Sequence, residues 1–148
     1  MSKKIKYKLI DLNKLIKENK IYSGFDKKRK CYIVDINKLN KFFKKLKKEN
    51  MIVDSHLSHF LPSDIVIVLR CKPYELDRRM RLKKWNKEKR RENFEAELIS
   101  LISYEARKLN KNVYEIDSTD GKINRIVNDI TKVLKGTGNK FRKTIDWM

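Results

Sequence analysis

Asp54-Ser55-His56 follows the apolar run Met51-Ile52-Val53. A carboxylate at the carboxyl end of a buried strand can hold Mg²⁺ through water, and an adjacent imidazole can orient a nucleophile or a phosphate. The same residues also read as a turn-capping aspartate and a surface histidine. Extended to His59 they give D-x-H-x-x-H, a poor zinc signature with no cysteine nearby. A second constellation runs from Arg78 to Arg91, with nine Lys or Arg, one acid (Glu88) and Trp85 inside it. Such a stretch can close over the phosphates of a nucleotide, or grip a nucleic-acid backbone while Trp85 stacks on a base. It also reads as a solvated helix pair with internal salt bridges, although so few acids leave like charges repelling at i, i+4.

The glycines exclude several chemistries. They are Gly24, Gly121, Gly136 and Gly138, and only Gly121 precedes a lysine, Lys122, which Ile123 follows. The 148 residues therefore hold no G-x-x-x-x-G-K-[ST], whose amides would cradle phosphates. They hold no G-x-G-x-x-G, G-x-S-x-G or Cys-x-x-Cys either.

The elements that must position these residues follow from periodicity. Tyr7–Ile10 predicts a short strand, and Leu12–Glu18 a helix. Residues 19–34 predict a loop region with a short apolar piece at Tyr32-Ile33-Val34. Asp35 can cap a helix whose apolar face is Ile36, Leu39, Phe42, Phe43 and Leu46. Met51–Val53 and Ile65–Leu69 predict buried strands. Pro73 suits the first position of a helix, and a longer helix is expected over 93–109. Asn112–Ile116 predicts a strand inside the sheet. Ile123, Ile126, Val127, Ile130, Val133 and Leu134 mark the last helix, followed by a tail over 136–148. Apolar strands separated by helices indicate an α/β fold, a parallel sheet with helices on both faces. Ligands of such sheets bind beyond the strand carboxyl ends, which draws attention to Asp54, His56, Arg70 and Asp117.

The length fits a single domain over 1–148. Lys and Arg number 38 against 19 acids, a formal net charge of +19. That charge favours a polyanionic partner, yet a generally lysine-rich composition would give the same sum. Cys31 and Cys71 are too few for a disulfide scaffold and fit a reducing, cytoplasmic setting. No run has the length of a membrane span, and Met1-Ser2-Lys3-Lys4 leads into no apolar signal region, so a soluble intracellular protein is expected.

Several blocks then align in order: Tyr7-x-x-Ile10-Asp11-Leu12, Phe25-Asp26-x-x-Arg29, Tyr32-Ile33-Val34-Asp35, Ile52-Val53-Asp54-Ser55-His56, Val66-x-Val68-Leu69-Arg70, Arg79-x-x-x-Lys83-Lys84-Trp85-Asn86, Glu92-Asn93-x-x-Ala96-Glu97 and Ile145-Asp146-Trp147. Together they resemble the archaeal adenylate kinase isoenzyme 6-type family. The resemblance implies a P-loop nucleoside monophosphate kinase fold and the reaction ATP + AMP ⇌ 2 ADP with Mg²⁺, beside ATP hydrolysis. It also implies a part in small ribosomal subunit and rRNA maturation, through a small-subunit ribosomal protein. By position, 11–34 is the segment that binds the monophosphate, with Asp11, Asp26, Arg29 and Asp35. Residues 82–92 form the lid. Asp54 and His56 match a D-x-H motif that positions Mg²⁺ and the reacting groups, and Lys83 with Arg79 would meet ATP phosphate.

Two departures accompany the resemblance. Lys83-Lys84 replaces an Arg-Gly pair, exchanging a bidentate fork for a point charge. The family also begins with a strand and a phosphate-binding loop, roughly 25 residues that would precede Tyr7. The expectation is an N-terminally incomplete fold, with first strand and P-loop missing, and little turnover from this chain alone. A start assigned too far downstream, a separate chain supplying the strand, or a relative that no longer binds ATP would each account for it. The alternative is a non-catalytic RNA-binding or ribosome-assembly protein on the same scaffold.

Overall fold

The computed structural model describes residues 7–46 and 50–148, so the basic start at Met1-Ser2-Lys3-Lys4 lies outside the described residues. The chain divides into two units, 1–63 and 64–148.

In the first unit, β1 (Lys8–Asp11) runs parallel to β4 (Met51–Asp54), in a register that sets Asp11 beside Asp54. Two helices carry the core. Asp11 begins α1 (Leu12–Glu18) by accepting a hydrogen bond from the Lys14 amide at 3.2 Å. Asp35 begins α2 (Ile36–Lys44) in the same way, from the Lys38 amide at 3.1 Å. Each supplies an acceptor for an otherwise orphaned helical N–H. Leu12 and Ile16, and Leu39 and Phe43, are i, i+4 pairs on the inner helix faces, and with Ile21 and Leu61 they form the buried cluster. Each such side chain contributes about 1.5–3 kcal/mol by leaving water.

The region 19–34 is not a loop. It is an antiparallel hairpin, β2 (Tyr22–Asp26) and β3 (Cys31–Val34), with an irregularity between Tyr22 and Gly24. Its turn holds no glycine or asparagine, and Lys30 takes the positive φ of 52° that those residues usually supply.

In the second unit, β5 (Val66–Arg70) is parallel to β6 (Val113–Asp117), and both faces of the pair are covered. Alternation decides which side chain goes where. Val66, Val68 and Val113 meet Ile102 and Ala106 of α5 (Leu101–Leu109). Ile67, Tyr114 and Ile116 meet Ile126, Ile130 and Val133 of α6 (Ile123–Leu134). Gly136, at φ +79°, closes α6 with its N–H on the Val133 carbonyl while Thr137 N–H reaches that of Lys132.

Pro73 opens α3 (Pro73–Leu82) as expected. The single helix expected over 93–109 is two. α4 starts earlier, at Lys87, capped by Asn86, and ends at Leu98, and α5 follows after a break at Ser100, φ +57°. The cause is tertiary: the Ser100 hydroxyl accepts a hydrogen bond from the buried Arg70 guanidinium at 2.9 Å. Among the described residues no helix is long and apolar enough to cross a membrane.

Candidate functional site

Each unit has an open cleft at the carboxyl ends of its parallel strands. In the first unit, Leu9, Ile10, Asp11, Asn13, Asp54 and Ser55 line a cavity of about 330 Å³. The two carboxylates are register partners with different employment. Asp11 is occupied as the cap of α1. Asp54 is exposed, and no hydrogen bond or ion pair engages its side chain among the described residues. Ser55 turns its hydroxyl onto the Leu57 amide at 3.1 Å. Exposed His56 lies just past the strand, whereas His59 is buried against Phe60, ring centroids 4.1 Å apart. No group of three or more His, Cys, Asp or Glu able to hold a metal gathers among the described residues. The cleft offers carboxylate, amide and hydroxyl oxygens, which fit the water-mediated, mostly single-carboxylate way in which Mg²⁺ is held.

Of the other segment residues, Asp35 caps α2. Asp26 accepts from the backbone amides of Lys28 and Arg29 at 3.0 Å each and pairs with the Arg29 guanidinium at 2.8 Å. The Arg29 amide and then its guanidinium hold the Asp26 carboxyl below its ordinary range.

In the second unit, Lys72, Asp117, Thr119, Asp120 and Arg125 line another cavity of about 330 Å³. Arg125 organises it, donating to Asp120 at 2.9 Å, to Asp129 at 2.7 Å and to the Asp117 carbonyl. The Arg125 hydrogen bond, then the Lys122 amide, bring the Asp120 pKa down to about 2. Substituting Arg125 by Gln is expected to return Asp120 toward its ordinary 3.8, read by carboxyl-carbon NMR titration. An unchanged midpoint would remove Arg125 as the cause.

The basic stretch is a helix–turn–helix between α3 and α4, and its arginines are largely committed. Arg78 and Arg79 share Glu75 at 2.8 and 2.9 Å, Arg81 meets Asp77 at 2.7 Å, and Arg90 and Arg91 approach Asp77 and Glu95. These acids flank or follow the window in which sequence reading found only Glu88. Arg79 also donates to the Ser118 and Thr119 carbonyls at 3.2 and 2.8 Å, tying α3 to the end of β6. Lys83, Lys84 and Lys87 are exposed at the turn, with no ion pair among the described residues. Lys89 stands 3.9 Å from the Trp85 ring centroid, covering one face of the indole.

Sequence reasoning singled out Asp117 and Arg70 at strand ends. Asp117 does line the Arg125 cleft, whose other residues were missed, whereas Arg70 is buried in a network and not open to a ligand. Arg70, 1% exposed, donates to Glu97, Ser100 and Glu115 and to the Ile145 carbonyl. The lone acid in the apolar run Val113-Tyr114-Glu115-Ile116 was the available signal.

Comparison with known proteins adds to this geometry. A family model described as "AAA domain" matches residues 1–100. A Methanocaldococcus jannaschii protein named "Putative adenylate kinase" is 34% identical over 143 residues, 95% of this chain and 78% of that protein. Proteins of the same name from Methanosarcina acetivorans and Thermococcus gammatolerans are each 37% identical, covering 90% and 77% of this chain and 76% and 65% of their own length.

Proposed function

The chain belongs to the adenylate kinase-like family, and from that premise we propose that it binds adenine nucleotides for phosphoryl transfer between ATP and AMP, with Mg²⁺ beside Asp54. The observation that carries the reading is the pair of strand-end carboxylates in β1 and β4, one used as a helix cap and the other open to solvent. Phosphoryl transfer depends on positioning and on charge placed around the migrating group, and a bound Mg²⁺ supplies much of that charge. Asp54 would hold the ion's water shell, and His56 would orient the reacting groups. The exposed Lys83 would meet ATP phosphate, with Arg79 fixing the helix that carries it. Residues 11–34 would receive AMP, with Asp11, Asp26, Arg29 and Asp35 shaping the segment through the caps and turn they form.

These 148 residues contain no G-x-x-x-x-G-K-[ST], so binding is expected to outrun turnover. A role in small-subunit and rRNA maturation, in the cytoplasm and with a ribosomal protein partner, belongs to the same proposal and is supported by the net charge of +19. Titration calorimetry with AMP and with ATP, each with and without Mg²⁺, tests the binding, and a coupled ADP assay tests the turnover. Heat from both nucleotides with ADP formation near background is the expected outcome. Absence of heat at millimolar nucleotide overturns the reading. Turnover in the usual kinase range of about 1–100 s⁻¹ overturns its second half.

A further inference from the structure

We infer that the β2–β3 hairpin is a stacking platform for a single-stranded polynucleotide. Phe25 and Tyr32 are direct cross-strand partners, so both side chains leave the hairpin on one face. Their rings meet edge to face at 5.2 Å, and Tyr32 continues onto Tyr22 at 4.3 Å. The row starts at Tyr22, which packs on the core of the 1–63 unit, and ends at Phe25, 50% exposed. Core packing explains the inner ring. The outer pair continues this core-facing side past the end of the core, which leaves Tyr32 38% and Phe25 50% exposed.

The charge around the row decides the occupant. Beyond Phe25 and Tyr32, one register pair (Asp26 with Cys31) leads into Lys27-Lys28-Arg29-Lys30, four consecutive cations of which Arg29 is paired with Asp26. At the other side Lys17 Nζ stands 5.9 Å from the Tyr32 ring centroid. Flat faces flanked by cations suit a ligand whose bases stack while its phosphates are neutralised. An acidic peptide offers the charge without the faces, and a second copy of this chain brings like charge to like. The hairpin lies inside residues 11–34, the segment proposed to receive AMP, so the two readings share a surface while differing in ligand.

The test is anisotropy of fluorescein-labelled oligo(U) and oligo(dT), about twelve nucleotides long, across a salt series. Oligo(U) has no adenine, and its binding is expected to persist in millimolar AMP, which separates it from AMP binding on the same segment. The full chain is expected to bind, with affinity falling as salt rises. Phe25→Ala removes an exposed ring and should weaken binding roughly tenfold with the salt slope kept, while Phe25→Trp retains it. Lys27→Gln with Lys30→Gln should reduce the salt slope by about 1.4, two cations at about 0.7 each. Circular dichroism checks that each variant is folded. Oligo(U) favoured over oligo(dT) assigns the site to RNA through the 2′-hydroxyl, and equal affinity assigns it to either single strand. Four results would overturn the inference: Phe25→Ala binding within twofold of the parent, oligoglutamate competing as well as oligo(U), self-association that Phe25→Ala abolishes, or loss of binding only when Lys83, Lys84 and Lys87 are changed.

Discussion

Arg70→Ala is expected to cost about 3–5 kcal/mol and bring the 64–148 unit close to unfolding, since whole domains are stable by about 5–15 kcal/mol. Arg70 lies on the α5 side of β5, and Glu115 lies on the same side of β6, both out of water. The guanidinium spends its donors on Glu115, on Glu97 at 2.6 Å, on Ser100 and on the Ile145 carbonyl at 3.0 Å. The tail returns the contact: Ile145 N–H donates to Glu115 at 3.1 Å and the Trp147 indole to Glu97 at 2.7 Å. Truncating Arg70 leaves Glu115 buried with only Arg107 and one amide, so the loss exceeds that of a solvent-exposed pair. Urea unfolding and amide exchange in β6 measure it. Replacing Arg70 and Glu115 together by Met and Leu should recover part of the loss, because Glu115 is then no longer stranded, while Glu97 and Arg107 still lose their ionic partners. A single variant as stable as the parent would show that the network contributes nothing.

The same network sets an acid limb. Burial alone would raise the Glu115 carboxyl, but hydrogen bonds from Arg107, the Ile145 amide and Arg70 outweigh it and hold the group below its usual 4.5. A depressed folded value means that the stabilisation is whole above pH 4.5 and is lost as pH falls through the folded value. Stability should therefore decline below that point, with a flatter acid limb in Glu115→Gln.

What could be read from the sequence was what local chemistry dictates. α6 follows its 3.6-residue spacing from Ile123 to Leu134, and Asp35 and Pro73 start helices as their side chains require. The hairpin was illegible because Lys30 holds the left-handed position in a turn without Gly or Asn. The break at Ser100 was illegible because a residue thirty positions earlier, Arg70, holds it in place. The basic stretch looked unpaired because most of its partners, Glu75, Asp77 and Glu95, lie outside the window in which charges were counted. Asp54 at a strand end was visible in advance. Of the Arg125 cleft, assembled from residues 72 to 125, only Asp117 at its strand end was.

Asp54→Asn separates the two carboxylates of the first cleft. Asp54 has no side-chain partner among the described residues and is exposed, so its replacement should leave stability within about 0.5 kcal/mol. On the proposed reading it removes one charged acceptor from the water shell of Mg²⁺. ATP affinity measured with Mg²⁺ should then fall roughly tenfold, the equivalent of one hydrogen bond to a charged group, while metal-free affinity holds. Asp11 should behave in the opposite way. Asn caps a helix as well as Asp does, so Asp11→Asn is quiet, whereas Asp11→Ala exposes the Lys14 amide and costs about 1 kcal/mol of stability. If instead Asp54→Asn keeps the full Mg²⁺ dependence and Asp11→Asn abolishes it, the metal belongs to the residue that also caps α1. The open carboxylate on β4 would then have no part in nucleotide binding.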